Sequence, residues 1–165
     1  MKYLAGLLIC STLLFAQSDK LIIDAQKFEA NDKKGFSTFE GNVKIQMAKD
    51  KLKADRVDVY FVTKKGSTNK IPSKYIATGN VDFEIVSDVK HYVGTGNKVI
   101  YSPSKLEYTV LGNGFLEEKI ENRKIYGEKI YVNQLTGEAK VSGSEDKPVR
   151  FIINIDRGNN EKGNK

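Results

Sequence analysis

Few side chains in this sequence suit covalent or metal chemistry, and none is grouped for it. There is one histidine, His91, and one cysteine, Cys10. They cannot build a zinc site without carboxylates, and a single cysteine closes no internal disulfide. Glu117 and Glu118 are adjacent on an expected strand. Side chains alternate in direction along a strand, so these two point to opposite faces and cannot share a proton. No G-x-S-x-G, Walker A or H-E-x-x-H pattern occurs. Gly94-Thr95-Gly96 and Gly112-Asn113-Gly114 lack the third glycine and the following helix of a dinucleotide site. The expectation is a protein without catalytic residues, cofactor or metal, with His91 in a structural role. An enzymatic alternative stays open: an exported β-solenoid polysaccharide hydrolase, its carboxylates meeting across a sheet.

The other chemistry on offer is ionic and apolar. Lys44, Lys49, Lys51, Lys53 and Arg56 crowd one stretch. They form either a solvated face or a rim that meets anions such as phosphate. The whole chain carries 27 Lys+Arg against 21 Asp+Glu, a net charge of +6. A nucleic-acid binder would interleave aromatics with these cations on one exposed face. Here the aromatics mostly alternate inward, so no nucleic-acid partner is expected.

The elements that position these groups are strands. Val57, Val59, Phe61, then Val81, Phe83, Ile85, and Phe151, Ile153, Ile155 recur at period two between Gly, Asn, Asp and Ser. That is the signature of half-buried strands. A hydrophobic content of 39% is enough for a core. Residues 64–74 form the most polar internal loop. Residues 156–165 contain no apolar side chain and are expected to be a polar disordered tail.

The N-terminus has a different character. Met1-Lys2-Tyr3 is followed by an apolar run from Leu4 to Ala16, then by polar Gln17-Ser18-Asp19. The run is shorter than the roughly 20 residues of a membrane span and reads as a signal peptide, residues 1–16. Ile9 precedes Cys10, where a lipoprotein site would want a small residue, so Cys10 belongs to the signal core. Removing residues 1–16 takes away the only cysteine and one charge, Lys2.

A repeat organises the rest. Phe39-Glu40-Gly41-Asn42-Val43, Ala77-Thr78-Gly79-Asn80-Val81 and Val110-Leu111-Gly112-Asn113-Gly114 match one another, with a degraded copy at Lys140–Gly143. They recur roughly every 31 to 38 residues. Each full copy has a second half in which the apolar phase slips by one: from Ala54 to Val57, Gly96 to Val99, Gly127 to Ile130. A one-residue slip turns side chains to the other face, so a bulge or corner must restore their direction. Stacked corners describe a sheet folded over on itself. Ile23, Val43, Ile45, Val57, Val59, Phe61, Val81, Phe83, Val99, Tyr101, Phe115, Ile130 and Val132 are the expected inward residues, packed as a dry core or lining a groove.

Thr38-Phe39-Glu40-Gly41-Asn42-Val43-Lys44-Ile45, followed by Lys51-Leu52-Lys53-Ala54-Asp55-Arg56-Val57-Asp58-Val59, resembles the OstA-like domain of periplasmic lipopolysaccharide-transport proteins. Val110-Leu111-Gly112-Asn113 with Ile125-Tyr126-Gly127-Glu128-Lys129-Ile130-Tyr131 is similar to that family's later repeat. The likeness extends over about residues 20–155, inside a domain of residues 17–155. It implies an all-β, twisted jellyroll of stacked repeats, open at both ends, with a groove between its leaves. It further implies a periplasmic carrier that holds lipopolysaccharide by its lipid A acyl chains and bridges inner and outer membranes. The implied partners are an inner-membrane Lpt transporter component with the same domain, an outer-membrane Lpt translocon, and further copies joined head to tail. Leu21–Phe28 and Val149–Ile155 would be the joining edges. A related alternative is the inner-membrane member of the pathway, which keeps its N-terminal segment as an anchor.

Overall fold

The structure is a computed structural model that describes residues 20–155, so the signal segment 1–16 and the tail 156–165 lie outside the described residues. Ten strands follow one another: β1 (Leu21–Asp24), β2 (Lys27–Asn31), β3 (Phe36–Met47), β4 (Asp50–Thr63), β5 (Lys70–Val86), β6 (His91–Ser102), β7 (Glu107–Glu118), β8 (Arg123–Asn133), β9 (Glu138–Ser142) and β10 (Arg150–Ile152). A 3-10 turn at Pro103–Lys105 joins β6 to β7. β3 to β8 form an antiparallel meander in which each long strand pairs with the next.

Alternate long strands, β3, β5 and β7, are bulged at the repeat motif. Gly41 and Asn42 have φ of 82° and 47°, Gly79 and Asn80 have 80° and 47°, and Gly112 and Asn113 have 74° and 50°. Two successive left-handed residues are tolerated because glycine has no Cβ and asparagine is among the few side chains that adopt this region. Pairing breaks at these points, between Glu40 and Val43 on β3, Thr78 and Val81 on β5, and Leu111 and Gly114 on β7. The aligned bulges fold one sheet into two facing leaves.

The registers build the interior as ladders. On the first leaf Phe39, Val57, Ala77, Val99, Val110, Ile130 and Val141 stand opposite one another in turn. On the second leaf the ladder is Ile23, Ile45, Leu52, Phe83, Gly94, Leu116, Ile125 and Phe151. Val43, Val57, Val59, Val81 and Ile130 are fully buried near the fold line. Each such side chain contributes about 1.5–3 kcal/mol of burial.

Gly96 and Gly127 have a different task from the corner glycines, because their φ is not positive. A Cβ on Gly96 would lie 2.5 Å from Val110 Cγ1, and one on Gly127 would lie 2.5 Å from Val141 Cγ1. These glycines let the backbone of one leaf approach the side chains of the other.

The polar loop is shorter than its composition predicts, because β5 begins at Lys70 and includes Pro72. The proline is accommodated where the β4–β5 register shifts, between Tyr60 and Phe61.

Both ends of the sheet are split. β1 and β2 pair with opposite halves of β3, and β10 and β9 with opposite halves of β8. Gln26 crosses between leaves, its N–H donating to the Glu40 and Gly41 carbonyls at 3.1 Å.

Candidate functional site

Away from the corners the leaves diverge and enclose a cavity of about 470 Å³. That volume is in the range of small-molecule and lipid sites. Val57, Tyr75, Ala77, Val99, Tyr101 and Tyr108 supply one wall; Ile45, Leu52, Phe83 and Ile85 supply the other. The tyrosines come from adjacent strands and stack. Tyr75 and Tyr101 have ring centroids 6.0 Å apart and planes 22° apart; Tyr101 and Tyr108 are 4.3 Å and 17°. Burial pushes the phenols of Tyr75 and Tyr108 above their ordinary pKa, reinforced by Tyr101. They stay neutral at physiological pH, so this wall carries no charge.

Charge appears at the rim. Asp50, Lys51 and Glu84 border the cavity. Asp50 Oδ1 accepts the Val86 N–H at 2.9 Å, and Lys51 Nζ lies 3.9 Å from Glu84 Oε2. Glu84 Oε1 also meets His91 Nε2 at 2.9 Å. The lone histidine therefore braces a rim carboxylate on the outer face.

The expected inward residues divide into groups. Ile45, Val57, Phe83, Val99 and Tyr101 line the cavity. Ile130 and Val132 line a much smaller space of about 20 Å³ beyond it. Val43, Val59 and Val81 are sealed in the core; Ile23 and Phe61 pack at its margin. Phe115 is the correction, since it lies on the outer face, 4.9 Å from the ring of Tyr126. The Gly112-Asn113 bulge makes Gly114 the first inward residue of that half-strand. Leu116, not Phe115, is therefore the next inward side chain. Leu52, Tyr75, Ala77, Ile85 and Tyr108 belong to the cavity and were missed. Leu52 was legible as the partner of Ile45 across the first hairpin. Tyr75 and Tyr108 stand two residues before Ala77 and Val110, so alternation counted back from the corners could have found them.

The five basic residues do not make one cluster. Lys44 and Lys53 pair on the outer face of the second leaf, with Asp82 next in the row. Lys49 lies in the β3–β4 turn. Arg56 is on the outer face of the first leaf and is already neutralised. Its Nη1 donates to Glu40 Oε1 at 2.7 Å and its Nη2 to Asp58 Oδ1 at 2.9 Å. Glu117 and Glu118 do point to opposite faces. Glu117 meets Lys119 at 3.0 Å outside, whereas Glu118 is buried and accepts the Ile120 and Glu121 N–H groups at 3.2 and 2.7 Å. Glu118 thus closes the β7–β8 turn.

Comparison with known proteins agrees with this architecture. No curated protein matches the chain. Among solved structures, the crystal structure of LptH from Pseudomonas aeruginosa is similar in fold, with a TM-score of 0.67 and 15% identity. LptH is described as the LptA-homologous periplasmic component of a lipopolysaccharide transport device. The match covers 82% of this chain and 96% of that one. Residues 22–141 match the family model described as LptA/(LptD N-terminal domain) LPS transport protein. The bent meander, its two leaves and this match together make the chain a member of the LptA/LptD N-terminal domain family of lipopolysaccharide transport proteins, which are carriers and not enzymes.

Proposed function

We propose that the protein is a periplasmic lipopolysaccharide carrier that holds lipid A acyl chains between its leaves and bridges the inner and outer membranes. The observation that carries this reading is the 470 Å³ cavity, walled almost wholly by apolar and aromatic side chains and open at a charged rim. Each acyl CH₂ withdrawn from water contributes about 0.8 kcal/mol, so partial burial of several chains holds the lipid without any specific bond. Lys44 and Lys53 stand outside, where lipid phosphates would remain hydrated. Residues 1–16 serve as an export signal that is cleaved. No nucleotide motif is present in the sequence, so the work of directional movement comes from another component.

The split ends suit assembly. Strand addition at β1/β2 and at β9/β10 would join copies head to tail, or join this domain to the inner-membrane component and the outer-membrane translocon. Each joint would extend one groove into the next.

Photocrosslinking tests the reading. A photoreactive side chain replacing Leu52 is expected to form adducts with lipopolysaccharide in cells, and one replacing Lys64 is not. Adducts at Lys64 alone would place the lipid outside the groove and refute the proposal.

A further inference from the structure

The interior is not an even groove. Its 470 Å³ cavity extends from Leu21 on β1 to Tyr108 on β7. Past Tyr108 lies a separate, much smaller space of about 20 Å³, between Tyr92, Leu116, Ile130 and Val132. That space holds about one water and no acyl chain. Three side chains border both spaces: Phe83 and Ile85 on the second leaf, and Tyr108 on the first. Tyr108 is held in place, its ring stacked on Tyr101 at 4.3 Å. Behind it, glycines draw the leaves together. A Cβ on Gly96 would lie 2.5 Å from Val110 Cγ1, and one on Gly114 would lie 3.2 Å from Ile130 Cδ1.

We infer that Tyr108, facing Phe83 and Ile85, is a partition across the groove. It confines a bound acyl chain to the β1–β6 side and makes passage toward the β8 edge depend on displacing its ring. This deepens the carrier reading and rests on it. The partition is a specificity-determining element for the lipid tail. Chains that end before Tyr108 fit without rearrangement, and longer or further-advanced chains must move the tyrosine out of its stack. Moving the ring breaks its stack on Tyr101, so an advancing chain has to replace that contact with its own.

The test uses the full chain and a tetradecanoic acid bearing a diazirine at its ω end, with labelled residues mapped by mass spectrometry. In the wild type, labelling is expected on Tyr75 and Val99, to be competed by purified lipopolysaccharide, and at least tenfold weaker on Ile130 and Val132. Tyr108→Ala should raise labelling of Val132 at least fivefold. Equal wild-type labelling of Val99 and Val132 would overturn the partition and leave the carrier reading standing. So would a Tyr108→Ala protein that is folded by circular dichroism and labels Val132 no more than wild type does. If Tyr108→Ala does not fold, Tyr108→Leu takes its place, and the wild-type distribution alone still decides. Absence of labelling in the cavity, or labelling that lipopolysaccharide does not compete, would overturn the carrier reading and the partition with it.

Discussion

At the scale of single residues, the corners depend on polar side chains lying across glycines. Asp55 crosses over Gly79 and accepts the Asn80 side-chain N–H at 2.9 Å. Gln26 lies over Gly41 and Asn97 over Gly112 in the same way. Gly79→Ala combines a left-handed φ of 80° with a clash against the Asp55 carboxylate. It should lose about 1–3 kcal/mol in urea denaturation. Asp55→Ala in the same chain removes the contacts with Oδ2 and Cγ but leaves Asp55 Cβ at 2.9 Å and the backbone strain, so part of the loss is relieved and the two changes together are less than additive. A Gly79→Ala protein as stable as wild type would refute this account. A second residue-scale device is Asp58. Burial pushes its carboxyl up, but hydrogen bonds from Arg56 and Thr38 and the charge of Arg56 outweigh that and hold it below its ordinary pKa. A depressed carboxyl stabilises the fold above its unfolded pKa, about 3.9, and loses that contribution as pH falls through the folded value. Arg56→Gln is therefore expected to cost about 1 kcal/mol at pH 7. The difference from wild type should shrink as pH falls below the ordinary aspartate range and through the lowered folded value. Urea midpoints at pH 7 and below that range measure it, and a pH-independent difference would exclude the linkage.

At the scale of elements, the informative strands are those at the ends. Phe28 and Phe151 belong to the inward ladders, yet they are 58% and 54% exposed because no further strand covers them. Unpaired edges with uncovered apolar side chains are sites for strand addition. If the proposed head-to-tail joint uses these edges, Phe28→Asp and Phe151→Asp each weaken it at least tenfold in sedimentation velocity, while circular dichroism stays unchanged. If both variants associate like wild type, these edges are not the joint. The central strands show how two kinds of glycine divide the labour. Gly41, Gly79 and Gly112 bend the strands, whereas Gly94, Gly96 and Gly114 make room for Phe83, Val110 and Ile130.

At the scale of the whole molecule, one sheet folded along a line of bulges gives a container whose two walls are halves of the same strands. Filling the container should therefore stabilise the entire fold. Lipopolysaccharide at about 100 times its dissociation constant adds roughly 2.7 kcal/mol by mass action. For a chain of this size that is a rise of about 5–10 °C in Tm. Differential scanning calorimetry should show the shift with intact lipopolysaccharide and none with its deacylated polysaccharide. An equal shift with the deacylated form would move the binding site from the cavity to the charged surface.

Much of this was written in the linear sequence. Period-two alternation gives strands wherever one face is buried, and paired Gly-Asn steps mark the corners because few other residues adopt two left-handed conformations in succession. Even the direction of Phe115 was legible. It aligns with Lys44 and Asp82 in the repeat, and both stand outside, whereas its aromatic character suggested the interior. The division of inward residues between core and cavity was not legible. Val57 and Val59 have the same character and alternate in the same strand, yet only Val57 borders the open space. That difference depends on how far apart the two leaves stand at each point. The separation is set by contacts between residues distant in sequence, such as Gly96 against Val110 and Gly114 against Ile130. The sequence by itself determined a folded, repeated β-sheet with an apolar inside. Only the tertiary structure decided that the inside opens into a cavity between Leu21 on β1 and Tyr108 on β7, because void volume belongs to the packed pair of leaves and to neither alone.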